Sequence, residues 1–509
     1  MTSHVEIERK YDVDGDVEIA IEDFTGPDGE VTADEPETWR LVAEYVDTAA
    51  LTLASHGITL RRRQGGEDAG WHLKLPMAKG ARREVHAPLG ADVHHVPVRL
   101  AELVAAHVRG HELVPVVTLE TTRTVRRLRG QGGKVVAEVA DDQVVGRRLG
   151  RDRRPASWRE IEVELVDGST GLLDAVESRL REAGATPSPS VSKLARVLGD
   201  DLPPAADRGS GRSAGAALVA YLRRQREHLL GYDPLVRLAD HDDDTVHKMR
   251  VAVRRMRSVL RTHSRLLDGD RVAPLEAELR WLAGELGTVR DLEVLTARFD
   301  RRLTGRPQDG PENGGLGNAR WPGLLAARES KARQALKRTL SAPRYFTLLA
   351  AVDDFIADPP FQDRAGRKAS RQTPRLVARS WRKVLTRYTE AQRLPEGAER
   401  DRALHSTRKA AKRARYTAEA AAPVLGKPAK KLAKQAERLQ ETLGRRQDAL
   451  VAQRELTQLA TRPGLRVADA FTLGLLLADE RHAADAALRD LAPVWKKAAK
   501  PGLLNALNA

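Results

Sequence analysis

The sequence predicts a multidomain α+β protein: an antiparallel β domain with flanking helices, then an all-α helical bundle with an internal pseudo-twofold repeat. Three observations predict it. The hydrophobic period changes near residue 214, the sign of the charge changes at the same place, and the second half contains a pair of matching segments. At 509 residues the chain is too long for one compact core, so two or three domains are expected.

Up to about residue 200 the apolar residues alternate in short β-branched runs separated by Gly, Pro or Asp. VEIERKYDV, ITLRRR, WHLKLP, REVHAPL, VVTLETTRTVRRL, KVVAEVA and WREIEVELV read as strands. Helical patterns interrupt them near 98–108 and 170–183. Residues 1–200 are therefore one domain, and the Gly/Pro/Asp-rich stretch 201–213 is a linker. Residues 214–500 form the helical domain, rich in Ala, Leu, Arg and Lys at a period near 3.6. The polar Gly/Pro/Asn break at 304–323 reads as a surface loop.

Charge divides at the same boundary. Residues 1–210 carry 28 Lys+Arg against 36 Asp+Glu, and residues 211–509 carry 58 against 35. A basic half beside an acidic one predicts a polyanionic partner for the second domain, and nucleic acid, anionic membrane and inorganic polyphosphate all qualify on charge. With only 4% aromatic residues and no stacking clusters, nucleic acid is the weaker match. No helix pairs a cationic face with Trp or Phe anchors, so a membrane surface is weaker still. The longest apolar run, residues 470–478, falls short of the roughly 20 needed to span a bilayer, and the first residues lack an apolar signal core; a cytoplasmic protein is expected. The absence of cysteine excludes disulfides, thiolate metal sites and cysteine nucleophiles, so any metal must be held by oxygen or imidazole.

Glu6, Glu8 and Lys10 share one face of a strand, as do Glu160, Glu162 and Glu164 with Ile161, Val163 and Leu165 opposite. Arg61 and Arg63 form a basic row, and Lys74 follows His72 at the same parity. The plainer reading is a sheet with one charged face in water. The other is a closed barrel in which acidic and basic strands build a charged lumen for an extended polyanion. A triphosphate needs both signs, Arg and Lys for its oxygens and carboxylates for hard divalent cations.

In the helical half, the segment from His247 to Arg257 corresponds to that from His405 to Arg415, and LGTVRD at 286–291 corresponds to LGRRQD at 443–448. The His-to-Asp intervals are 44 and 43 residues, so a two-helix unit is duplicated. His247, Arg250, Arg254, Arg257 and Arg261 form one helical stripe, and His405, Arg408, Lys412 and Arg415 form another. A bound polyanion would relieve the repulsion within each stripe. Asp291 and Asp448, at matching offsets, are the alternative source of counter-charge.

The E-x-E-x-K at Glu6, Glu8 and Lys10 resembles the CYTH superfamily, the triphosphate tunnel metalloenzymes. The similarity continues through residues 45–63, WHLKLP, the RRE at 82–84, TTRT at 121–124, AEVADD, EIEVEL and SKLARVL. That resemblance implies an eight-stranded antiparallel tunnel that hydrolyses or cyclises triphosphates with Mg²⁺ or Mn²⁺, two per site. Glu6, Glu8, Asp141, Glu162 and Glu164 are then the metal ligands, with Asp142 exchangeable for Asp141 and Glu160 joining or replacing a neighbour. Lys10, Arg61, Arg63, Lys74, Arg123 and Lys193 grip phosphate, and Lys10 and Glu84 are the catalytic candidates, Glu84 by orienting the basic wall.

The helical repeat resembles the CHAD domain, which implies binding of inorganic polyphosphate in a basic channel and, in relatives, association with polyphosphate granules. His247, Arg250, Arg254, Arg257, Arg261, His405, Arg408, Lys412 and Arg415 are the polyphosphate-binding candidates. The expected activity is metal-dependent hydrolysis of inorganic triphosphate. Cyclisation of ATP, hydrolysis of thiamine triphosphate and a non-catalytic polyphosphate scaffold are the other readings.

Overall fold

The computed structural model describes residues 1–14, 17, 24–77, 80–90, 95–150, 154–203, 211–238, 244–304 and 320–507. The chain divides into two units, Met1–Asp207 and Arg208–Ala509. Most of the expected linker (residues 204–210) and of the expected break (305–319) lies outside the described residues.

The first unit contains β1 (Thr2–Glu6), β2 (Glu8–Val13), β3 (Phe24–Gly26), β4 (Gly29–Ala33), β5 (Glu37–Asp47), α1 (Thr52–Ser55), β6 (Thr59–Gln64), β7 (Gly70–Pro76), β8 (Arg82–Ala87) and α2 (Val98–Val108). These are followed by β9 (Val114–Arg129), β10 (Val135–Arg148), β11 (Ala156–Leu165), α3 (Thr170–Glu182), β12 (Thr186–Pro187) and α4 (Lys193–Leu198). The strands pair antiparallel in the order β1-β8-β7-β6-β5-β9-β10-β11-β2-β12.

Only Ile7 separates β1, which pairs with β8, from β2, which pairs with β11. The sheet therefore curls until both edges meet on one extended segment. With β1 and β2 counted as one strand, β5 to β11 bring the ring to eight.

Alternation then sorts the side chains. Tyr11, Leu128, Ala137, Val139, Ile161 and Val163 bury the outer face beneath Leu172, Leu173, Val176 and Leu180 of α3. The charged rows face inward. One end of the lumen is filled by α4, whose Leu194 and Leu198 pack on Ala43, Tyr45, Val117, Leu119 and Val144. Ser192 caps this helix by accepting from Ala195 N at 3.1 Å, which fixes Lys193 as the first helical residue.

Strand β5 was not among the expected strands. Its alternation of Leu41, Ala43 and Tyr45 with Arg40, Val42 and Glu44 carries the period-2 signal, diluted by charges at Glu37, Arg40, Glu44 and Asp47. Helices α1 and α4 are too short to show a period.

The second unit is helical: α5 (Ala214–Leu238), α6 (Thr245–Thr262), α7 (Gly269–Thr304), α8 (Trp321–Ser341), α9 (Pro343–Ala357), α10 (Ala369–Gln392), α11 (Ala398–Leu425), α12 (Lys427–Ala460), α13 (Val467–Ala498) and α14 (Gly502–Asn505). The duplicated segments are the pairs α6–α7 and α11–α12, and α6 packs on α11. Ala and Leu dominate one core among α10, α11 and α12, with Trp381 the largest side chain in it. No described helix is long and apolar enough to cross a membrane.

Because Leu194 anchors α4 in the lumen and is 1% exposed, Leu194→Ala is expected to destabilise the β unit by about 2–5 kcal/mol. A lowered urea midpoint of that unit's transition is the readout.

Candidate functional site

Register explains which charges meet. Glu162 stands opposite Lys10 on β2 and Ala140 on β10, while Asp142 stands opposite Glu160 on β11 and Arg123 on β9. Directly opposed residues share a face, so Glu160, Glu162, Asp142, Arg123 and Lys10 all enter the lumen. Arg123 donates to Asp142 at 2.6 and 2.7 Å and to Glu162 at 2.6 Å. Lys193 reaches in from the N-terminus of α4 to Asp142 at 2.9 Å, Glu160 at 2.6 Å and Glu162 at 2.7 Å. Lys10 pairs closely with Glu162 and lies 3.3 Å from Glu8.

Asp141 is corrected by the same register. It projects from the opposite face of β10, where Arg159 binds its carboxylate at 2.7 and 2.9 Å. Asp142, fully buried, takes the inward position.

A second group lies where β1, β7 and β8 meet. Lys74 donates to Glu6 at 2.7 Å and lies 3.2 Å from Glu84, and His72 Nδ1 pairs closely with Glu84. Arg82 approaches Glu8 at 3.9 Å. Arg61 donates to the Tyr45 hydroxyl at 3.2 Å, and Arg63 pairs with Asp68. Glu164 stands opposite Glu8 and feels Lys74, Glu84 and Glu162.

Carboxylates Glu6, Glu8, Glu84, Asp142, Glu160, Glu162 and Glu164 share the inner face of the sheet with cations Lys10, Arg61, Arg63, Lys74, Arg82 and Arg123, and Lys193 joins them from α4.

Burial opposes ionisation of Glu162, yet Lys10, Lys193 and Arg123 hold its carboxyl well below the ordinary range. Asp142 is lowered in the same way by Arg123 and Lys193, and Glu8 chiefly by Lys10, each against burial. Burial and the bond to Glu84 raise Glu6, while His72, Glu6, Lys74 and Arg61 overcome burial to hold Glu84 low. Burial, Arg61 and Arg123 bring Arg63 down to about 9.

Two groups among the described residues have ligand atoms all within 4.8 Å of one another, Asp142–Glu160–Glu162 and His4–Glu6–Glu84. Carboxylate oxygens of this kind suit hard divalent cations such as Mg²⁺ and Mn²⁺.

In the helical unit, Arg250 lies across Gly287 and reaches Asp291 at 2.9 Å, and Arg408 lies across Gly444 and stands 3.8 Å from Asp448. The L-G-x-x-x-D segment thus has a physical purpose. A Cβ at Gly287 would meet the Arg250 guanidinium at 3.1 Å, and one at Gly444 would meet that of Arg408 at 3.4 Å. Asp follows one turn later on the same face.

Arg250, Arg254, Arg408 and Lys412 come together from α6 and α11. Arg257 and Arg415 border the cluster, but Arg415 is held by Glu419 at 2.7 Å and Glu437 at 2.8 Å. Arg261 lies 3.3 Å from Glu276. His247 sits near Arg290, Asp244 and Lys412, and His405 near Lys409, Arg408 and Gln447. Burial together with Arg254, Arg408 and Arg250 lowers Lys412 to about 6.

Sequence reasoning did not single out Arg82, Tyr45 or His72 as site residues. Arg82 shares strand parity with Glu84, and His72 with Lys74, which was the available signal.

A family model described as CYTH domain matches residues 4–198, and one described as CHAD domain matches residues 220–457. Uncharacterized protein MT2285 of Mycobacterium tuberculosis is 37% identical over 519 residues, covering 97% of this chain and 98% of its own. The chain belongs to the CYTH–CHAD proteins: a CYTH domain followed by a CHAD domain. PptA from Streptomyces chartreusis is 22% identical with a TM-score of 0.45, over 56% of this chain and 99% of its own. The CHAD domain from the plant Ricinus communis is 28% identical with a TM-score of 0.43, over 54% of this chain and 92% of its own. Proteins with CYTH domains are metal-dependent triphosphatases or cyclases, so the β unit is a CYTH-type triphosphate-tunnel domain.

Lys412 carries a pH prediction. Its folded pKa of about 6 lies far below the unfolded value of about 10.4. Between those values the unfolded chain binds the proton and the folded one does not, so this residue's contribution to stability rises with pH. Lys412→Met is expected to flatten the pH dependence of thermal stability from about 6 upward, checked by melting wild type and variant across that range.

Proposed function

We propose that this protein hydrolyses inorganic triphosphate in the lumen of the β unit, using Mg²⁺ or Mn²⁺, and that its helical unit binds inorganic polyphosphate and associates the enzyme with polyphosphate granules in the cytoplasm. The observation that carries the first part is the pairing of Glu6, Asp142, Glu160 and Glu162 with Lys10, Lys74, Arg123 and Lys193 inside the lumen. A polyanion that took these cations alone would leave the carboxylates without partners. One entering with divalent cations would not.

Asp142, Glu160 and Glu162, with Glu8 and Glu164 beside them, are the residues to hold metal, and Glu6 with Glu84 is the second candidate group. Divalent cations there would neutralise phosphate oxygens and lower the pKa of a bound water. Lys10, Arg61, Arg63, Lys74, Arg123 and Lys193 hold phosphate oxygens once released from their carboxylates, Arg by bidentate geometry. Glu84, bonded to Lys74 and His72, orients Lys74. A substrate that is phosphate along its whole length uses all of these cations, which favours inorganic triphosphate. Carboxylates on several facing strands favour catalysis over plain binding, because a binder needs only the cations.

The second part rests on Arg250, Arg254, Arg408 and Lys412, where two duplicated helices bring like charges together. The cost of that repulsion falls when an anion is bound.

The two adjacent aspartates provide the test. With inorganic triphosphate and Mg²⁺ or Mn²⁺, Asp142→Asn is expected to lower kcat about 100-fold or more, and Asp141→Asn to stay near the wild-type rate. EDTA should abolish phosphate release. Equal losses in the two variants, or release that persists in EDTA, would refute the assignment. ATP and thiamine triphosphate assayed in parallel, with cyclic AMP as a second readout for ATP, separate hydrolysis from cyclisation.

A further inference from the structure

The duplication is unequal in the charge of one surface. Buried positions of α5 recur in α10 at a spacing of 155 residues: Leu218 and Thr373, Leu222 and Val377, Leu229 and Val384. Positions of α6 recur in α11 at a spacing of 158, as His247 and His405 show. The α5–α6 pair and the α10–α11 pair therefore present equivalent surfaces, the first reached by Glu419 of α11 and the second by Arg261 of α6.

On the first surface, Arg224, His228 and Arg255 lie together, and Glu419 closes the group by accepting from Arg255 at 2.8 Å. Arg255 also stands 5.6 Å from the Tyr416 ring centroid, and His228 contacts Tyr232. On the second surface the corresponding residues are Arg379, Lys383 and Arg413, and Arg261 stands where Glu419 stands in the first. Arg387 replaces Tyr232, and Ser258 replaces Tyr416.

Helical spacing and packing assemble this group. Arg379, Lys383 and Arg387 recur every four residues on α10, and Arg387 donates to Ser406 Oγ at 2.9 Å, which sets its register against α11. Lys383 feels Arg379, Arg413, Arg387 and Arg261, all of its own sign, and Arg413 feels Arg387 and Arg261. Among the described residues, the carboxylate paired with the group is Glu276, 3.3 Å from Arg261. Arg379, Lys383 and Arg413 form no ion pair with any described residue.

We propose that Arg261, Arg379, Lys383, Arg387 and Arg413 form an anion site of the helical unit separate from the Arg254–Lys412 cluster, occupied by a stretch of unadorned phosphate polymer. The inference rests on the reading of the helical unit as a polyphosphate binder and adds a second point of attachment on one side of its pseudo-twofold. Two positions that hold tyrosines on the related surface hold Arg387 and Ser258 here, so the site offers charge without rings on which bases would stack. Glu419 keeps the related surface closed to anions.

The test is the salt dependence of long-chain polyphosphate binding by the full chain. Arg379 and Lys383 are solvent-exposed, so replacing them leaves packing intact. The double variant Arg379→Gln/Lys383→Gln is expected to flatten the slope of log K against log salt by roughly one unit per cation removed. Arg224→Gln/His228→Gln, on the related surface, is expected to leave the slope unchanged. An unaltered slope in the α10 double variant, with binding lost in Arg254→Gln, would remove this site and leave the polyphosphate reading standing. Wild-type protein that does not bind polyphosphate would remove that reading itself. Single-stranded RNA that displaces polyphosphate from this site at equal phosphate concentration would overturn the assigned occupant.

Discussion

Charged side chains taken out of water must be paired, and the β unit is organised around that constraint. Strand alternation sends Glu160, Glu162 and Asp142 to one face together with Arg123 and Lys10, and closure of the sheet removes that face from bulk solvent. Asp142 is fully buried and Lys193 nearly so. Desolvating either alone would cost several kcal/mol. Contacts below 3 Å among Arg123, Lys193 and three carboxylates offset that cost. Such a network is stable when complete and is vulnerable at each member, since removing one partner leaves a buried charge behind. It also constrains any ligand. A triphosphate can take the cations only if something else takes the carboxylates.

The helical unit answers the same constraint differently. Its duplicated arginines lie across Gly287 and Gly444 and each has one aspartate, but Arg254 and Lys412 are packed between like charges. Repulsion is left standing, and burial adds to it enough to bring Lys412 near neutrality. Among the described residues, the first unit sets most of its lumen cations against carboxylates, whereas Arg254 and Lys412 of the second stand among like charges. The first suits a ligand that arrives with metal, the second a polyanion that arrives without it.

Much of this was legible in the sequence, for identifiable reasons. The rows at Glu6, Glu8 and Lys10 and at Glu160, Glu162 and Glu164 show their common face through a period of two, which needs no knowledge of the partner strand. The choice between Asp141 and Asp142 does need it. Adjacent residues point to opposite faces, and only the pairing of Asp142 with Arg123 and Glu160 decides which enters the lumen. Lys193 could be named from its motif, but its convergence on three carboxylates depends on α4 filling the lumen, a tertiary event. The repeat was legible because its two copies match residue by residue. The exchange of Glu419 for Arg261 was not, because Glu419 meets Arg255, and Arg261 meets Lys383 and Arg413, only in the folded bundle.

The central claim is that carboxylates and cations of the lumen are exchanged together, metal for one and phosphate for the other. Binding of Mn²⁺ to the full chain, measured by paramagnetic resonance with and without a non-hydrolysable triphosphate analogue, tests it most directly. Coupling between two ligands is reciprocal, so the account predicts tighter Mn²⁺ binding in the presence of the analogue, with that gain lost in Glu162→Gln. Mn²⁺ affinity that is the same with and without the analogue would contradict it.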